Sequence, residues 1–172
     1  MRTLVAYFSQ TGNTEKVGKA IFEEISKKHE ASFRTLEEME NQSVDGYDLL
    51  MLGTPIHSNG LPAPVTEFFE KLDKSPRFKM AAFVTHMSAA YQTEAFEKGI
   101  AAIQQAATDK GITFLGTFDC QGKLADSIQP MVQKSRNIPE DVWKAKMDET
   151  NKHPDPDDLT KARIFASEIL AK

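Results

Sequence analysis

A single cysteine, Cys120, and a single tryptophan, Trp143, occur in 172 residues. One thiol forms no internal disulfide, which fits a reducing compartment. Long apolar runs are missing too, so no membrane insertion is expected. Leu4 to Phe8 near the start is shorter than the apolar region of a secretion signal, and no small-residue cleavage site follows it. A cytoplasmic location is therefore expected. Positive charge is not in excess: 21 Lys and Arg stand against 25 Asp and Glu, a net charge of -4. That balance gives no support for nucleic-acid binding, which favours a basic face. Internal repeats and low-complexity tracts are absent. What remains is ordinary for a globular chain, with 40% hydrophobic and 27% charged residues. The length suits one compact domain over residues 1–172.

Apolar runs alternate with amphipathic ones. Leu4–Phe8, Asp48–Gly53 and Met80–Thr85 read as strands buried on both faces, and Ile112–Cys120 as a fifth. Ser32–Leu36 is a weaker strand signal. Between them lie helical patterns: Val17, Ala20, Ile21 and Ile25; then Val65, Phe68, Phe69 and Leu72; then Phe96, Ile100, Ile103 and Ala107 within Glu94–Lys110. The last helix has a clear start. Asp155 caps it, Pro156 takes the first helical position, and Asp157 and Asp158 favour the positive end of its dipole. Strands alternating with helices imply an α/β fold with a parallel sheet and helices on both faces. Residues 122–153 form an insertion before the last helix, with one short helix from Pro139 to about Asp148. Trp143 lies in it, as a core anchor or as an aromatic that reaches the site.

The loop after the first strand, Ser9-Gln10-Thr11-Gly12-Asn13-Thr14, carries three hydroxyls, a glycine and no Lys or Arg. A phosphate needs aligned amide donors, short hydroxyl side chains and a favourable helix dipole. This loop offers all of them at a helix start. A nucleoside-triphosphate loop is excluded because no Gly-Lys-Ser/Thr ending is present. A Mg²⁺-dependent phosphoacceptor site is excluded because no acidic ligand lies in the loop.

The same segment resembles the FMN phosphate loop of flavodoxins, Ser/Thr-x-Thr-Gly-x-Thr after the first strand. The resemblance implies a flavodoxin-like three-layer, doubly wound sandwich with a five-stranded parallel sheet in the order 2-1-3-4-5 and FMN at the switch point. Two further loops correspond to those that hold the ring. Thr54-Pro55-Ile56-His57-Ser58-Asn59-Gly60 follows the third strand and resembles the Gly-Thr/Ser-Pro flavin loop. Thr85-His86-Met87 and Tyr91 follow the fourth. Asn59 and Gly60 both tolerate positive φ, so their peptide is either a flipping switch toward flavin N5 or an ordinary turn. His57 either touches the flavin or sits in solvent, and Tyr91 either stacks on the ring or packs at a helix start. Gly116 to Lys123 resembles the Gly-x-Phe-x-Cys-x-Gly-Lys run at the family's fifth strand, with Cys120 in a structural role.

The leading function implied is a flavoprotein electron carrier that binds FMN, works at low potential between redox protein partners, and has no catalytic residue and no metal. Only His57 and His86 supply potential cations in the three loops, which disfavours a negatively charged reduced flavin. An FMN-dependent NAD(P)H:quinone-type oxidoreductase on the same fold is the alternative enzyme reading. A flavin-free interaction module is the third.

Overall fold

The computed structural model describes residues 1–57, 60–74, 76–87 and 95–172. Five strands form one sheet: β1 (Arg2–Tyr7), β2 (Glu30–Thr35), β3 (Leu49–Pro55), β4 (Lys79–His86) and β5 (Phe114–Gln121). All described pairings are parallel and the order is β2-β1-β3-β4-β5, as expected. The helices are α1 (Asn13–Ile25), α2 (Ala63–Lys71), α3 (Ala95–Asp109), α4 (Gln129–Ser135), α5 (Glu140–Thr150) and α6 (Pro156–Leu170). A 3-10 turn, Asp126–Ile128, precedes α4.

Alternation along each central strand feeds two cores. Leu4, Ala6, Leu50, Leu52, Met80 and Ala82 meet Val65, Phe68 and Phe69 of α2 and Ile103 and Ala107 of α3 on one face. Val5, Met51, Ala81 and Phe83 meet Val17, Ile21 and Ile25 of α1 and Ala162, Ala166 and Ile169 of α6 on the other. Helices on both faces make the three-layer sandwich. Each fully buried Leu, Ile or Phe contributes about 1.5–3 kcal/mol, so the central strands are the stable frame on which the site is built.

The strands run further than the sequence pattern indicates. Thr54 and Pro55 belong to β3, and His86 to β4, because the ladder continues through Pro55 opposite Thr85 and His86 opposite Gln121. Their polarity reads as loop only when that pairing is unknown. β5 starts at Phe114 and shifts register between its pairings to Met80 and Ala82. The shift brings Cys120 opposite Thr85, so Gly122 and Lys123 emerge at the carboxyl edge of the sheet. Residues 122–153 hold more helix than the single one expected. α4 buries no residue and therefore lacks an apolar stripe to announce it. In α5, Trp143 is only 6% exposed and lies in the packing, with Met147 and Thr150 also buried. Phe96 and Ile100 of α3, expected in the core, are half-buried.

Candidate functional site

Because every strand is parallel, the carboxyl ends of β1, β3, β4 and β5 open on one edge. The turn after β1 is the first element there. Gly12 takes φ 80°, a left-handed conformation that favours glycine. It stands at the N-cap of α1 and supplies no side-chain hydrogen bond. Every amide N–H from Ser9 to Glu15 donates to no acceptor among the described residues, and the first bond back into the helix is Lys16 N–H to the Gly12 carbonyl at 3.0 Å. An array of free amides at the positive end of a helix dipole is an anion site in form. Ser9 Oγ is buried beside it with no hydrogen-bond partner. Buried hydroxyls are normally satisfied, so this orphan fits a group supplied from outside the chain.

The other hydroxyls are placed differently. Thr14, 1% exposed, has its Oγ1 2.9 Å from Thr85 Oγ1, which ties the loop to the end of β4. Asn13 is buried and donates from Nδ2 to the Lys123 carbonyl at 3.4 Å. Gln10 and Gly12 are exposed, and Thr11 is half-buried. Glu15, on the first turn of α1, acts on Tyr7. Burial first, then the Glu15 carboxylate, pushes the Tyr7 phenol above its ordinary range.

The second loop leaves β3 through Thr54, whose Oγ1 donates to the Pro55 carbonyl at 2.9 Å. Ile56 N–H donates to the Thr85 carbonyl at 2.9 Å. The Ile56 side chain fits against Gly99 of α3, where a Cβ would come within 2.6 Å of it. His57 and Gly60 exchange both backbone hydrogen bonds, at 3.1 and 3.0 Å, and so close a tight hairpin. Gly60 has φ 107°. Ser58 and Asn59 lie outside the described residues, as does Tyr91. Burial pushes the His57 imidazole below the ordinary histidine range, which favours its neutral form.

The third loop starts from His86, buried at the end of β4. Its Nε2 is 3.1 Å from Asp119 Oδ2 on β5, and its ring lies 4.3 Å from that of Phe96 on α3. One side chain thus joins the two elements that flank residues 87–94. Met87 Sδ accepts from Gln121 Nε2 at 3.4 Å.

Sequence reasoning gave no site role to the turn after β5. Gly122 N–H donates to the His86 carbonyl at 2.9 Å, and a Cβ on Gly122 would sit 3.2 Å from Thr85 and 3.3 Å from Asn13. Lys123 therefore stands next to the phosphate-type turn, its ammonium 3.3 Å from Asp126. The run Gly116 to Lys123 was visible in the sequence, but the register shift that delivers it was not. Cys120 is buried, and its thiol is pushed up to about 12 by burial first and then by Asp158, Asp119 and Asp155. It is not a nucleophile at neutral pH.

A family model described as a flavodoxin domain matches residues 4–167. The flavodoxin-like domain-containing protein BilS of Clostridioides difficile is 25% identical over 179 residues, covering 100% of this chain and 98% of that protein. Oxidised flavodoxin 2 of Bacillus cereus superposes with a TM-score of 0.70 at 20% identity, covering 99% of both chains. Two-electron reduced Megasphaera elsdenii flavodoxin gives 0.59 at 23% identity, covering 85% of this chain and 98% of that one. No helix among the described residues is long and apolar enough to cross a membrane.

Proposed function

The chain belongs to the flavodoxin-domain family, and from that premise we propose that it binds one FMN at the carboxyl edge of its sheet and carries single electrons between redox proteins. The observation that carries the proposal is the unsatisfied amide array from Ser9 to Glu15, with the orphaned Ser9 hydroxyl beside it. In this reading Ser9, Gln10, Thr11, Gly12, Asn13 and Thr14 hold the 5′-phosphate through main-chain N–H groups and hydroxyls. Thr54, Pro55, Ile56, His57 and Gly60 frame one side of the ring, and Thr85, His86 and Met87 the other. Ser58, Asn59 and Tyr91 complete that set from the sequence. When bound, a flavin supplies one- and two-electron chemistry that no side chain here provides.

The chain's own contribution is to orient the cofactor and set its charge environment. Neutral His57 and the Asp126-paired Lys123 leave the anionic form of the reduced cofactor poorly compensated. A low potential for the second electron follows. In the same reading the Asn59–Gly60 peptide turns its carbonyl toward the ring, a change that Gly60, at φ 107°, tolerates and that breaks the Gly60 N–H bond to the His57 carbonyl.

The test compares FMN with riboflavin, which lacks the phosphate. Two or more charge-assisted amide bonds correspond to at least about 100-fold tighter binding of FMN. Stepwise anaerobic reduction of the FMN complex is expected to proceed through a spectrally distinct one-electron stage. Rapid NAD(P)H oxidation with quinone turnover would replace the carrier by the reductase. Equal affinity for FMN and riboflavin would remove the phosphate from the turn.

A further inference from the structure

A cavity of about 910 Å³ lies beneath the connection from β2 to β3. That is near the upper end of roughly 300–1,000 Å³ for small-molecule sites. Among the described residues, Ser9 and Glu15, the two ends of the amide array, line it, and no other residue of the flavin loops does. Its origin is topological. The connection between these parallel strands has to cross β1, and such crossovers usually lay a helix on the sheet. Residues 36–48 make the crossing without a helix.

Both feet of this arch are pinned. At the first, Thr35 N–H donates to Glu38 Oε2 at 2.7 Å and Glu38 N–H donates to Thr35 Oγ1 at 3.1 Å. At the second, Arg2 N–H donates to Asp48 Oδ2 at 2.6 Å and the Arg2 guanidinium donates to the Gly46 carbonyl at 3.0 Å. The same guanidinium lies 5.4 Å from the centre of the Tyr47 ring, and the Tyr47 hydroxyl donates to Ser32 Oγ at 3.1 Å. Leu36 and Met39 of the arch are buried in the core beside Phe68, Leu72 and Phe78, with Val44 and Tyr47 packed against it, and the cavity lies among these residues. Its floor is apolar: Leu36 and Met39 of the arch, Phe68 of α2, Leu72, and Phe78 ahead of β4, all buried. Six carboxylates line the cavity against Lys71, Lys74 and Arg77, and Lys71 already faces Glu40 at 3.8 Å.

We propose that this cavity is a second ligand site, beside the flavin loops, for an amphipathic organic cation whose apolar body rests on Leu36, Met39, Phe68 and Phe78 and whose positive group faces the carboxylate rim. The apolar floor supplies the affinity and the surplus of carboxylates selects the sign of charge. Phosphate esters, dinucleotides and carboxylates meet like charge at the same rim and are disfavoured.

The probes are 1-naphthylmethylammonium and 1-naphthylacetate, matched in body and opposite in charge. Each is titrated at low ionic strength into the protein as isolated, by calorimetry and by backbone amide shifts. The cation is expected to bind saturably, at least tenfold tighter than the anion, and to shift Leu36, Met39, Phe68 and Phe78. Exposed Glu37 and Glu67 keep the fold intact when changed to Gln, and each change weakens the cation by about threefold. Met39→Trp, which fills the cavity, abolishes binding; where that variant fails to fold, the two Gln variants decide. Equal or tighter binding of the anion, shifts confined to the turn after β1, full affinity in the double Gln variant, or no saturable binding would overturn the proposal.

Discussion

Two helices on the same face of the sheet begin in opposite ways. At α6, Asp155 accepts the Asp158 N–H at 2.8 Å and Asp158 accepts the Asp155 N–H at 2.9 Å, so the amides are satisfied reciprocally within the chain. At α1, Gly12 stands where a capping side chain would, and the amides from Ser9 onward meet no acceptor among the described residues. Both helices pack on one core through Val17, Ile21, Ala162 and Ala166. The difference is therefore not one of packing. One terminus is closed for stability, and the other is left open in the manner of a site that an anion completes.

Closing the open terminus has the largest expected effect. Gly12→Asp places a carboxylate over the amides, where it competes with a phosphate for them and repels it. FMN affinity is expected to fall at least about 100-fold, about 2.7 kcal/mol, read by quenching of flavin fluorescence. Undiminished affinity would mean that the phosphate is held elsewhere.

Opening the closed terminus tests the converse. Asp155→Ala removes a cap and is expected to lower Tm by about 2–4 °C while leaving FMN affinity unchanged. The effect has a pH signature. Hydrogen bonding from the Asp158 backbone holds the Asp155 carboxyl below its ordinary 3.8. A carboxyl with a lowered native pKa stabilises fully above its unfolded value and loses that contribution as pH falls through the native one. The Tm gap between wild type and Asp155→Ala should thus stay constant from pH 8 to about 5 and narrow below pH 3.8. A gap that ignores acid would assign the loss to packing instead.

The pairing of His57 with Gly60 is an intermediate case, with the amides of these two residues satisfied but at the cost of a positive φ at Gly60. Gly60→Ala adds about 1 kcal/mol of strain to a left-handed residue. If the preceding peptide turns over on reduction, that strain falls unevenly on the two states and moves the first-electron potential by about 40 mV. Potentiometry of the FMN complex reads the shift, and an unchanged couple would leave this peptide an ordinary turn.

How much of this was legible follows from where the information is stored. The central strands announce themselves because both faces are buried, so Leu49 to Leu52 and Met80 to Val84 read as continuous apolar runs. β2 is fainter because it is an edge strand with half-buried residues. The Asp155 cap was legible because its partner lies three residues away, although Asp158 was read for the helix dipole and not as the reciprocal acceptor that it is. The phosphate-type turn was legible in its residue types but not in the division of labour among its hydroxyls. The pairing of Thr14 with Thr85, and of Asn13 with Lys123, depends on contacts that the sheet makes across 71 and 110 positions. The cavity had no sequence signal, because its arch is anchored by Arg2, at the other end of β1.

The smallest expected effect concerns Lys123, which bears on whether the open terminus works without fixed positive charge. The structure brings the Lys123 backbone to the edge of the turn, its carbonyl 3.4 Å from Asn13 Nδ2, and sets its ammonium 3.3 Å from Asp126, an exposed carboxylate. An exposed pair of this kind interacts weakly, so charge removed from Lys123 is partly offset by Asp126 left unpaired. Lys123→Gln is expected to weaken FMN by about threefold or less at low salt, with the difference vanishing as ionic strength rises. The Asn13 side chain contacts the Lys123 carbonyl, not its side chain, and is unaffected. Loss beyond tenfold would show that the ammonium leaves Asp126 to hold the phosphate, and the amides and hydroxyls of the turn would then share that task with a fixed charge.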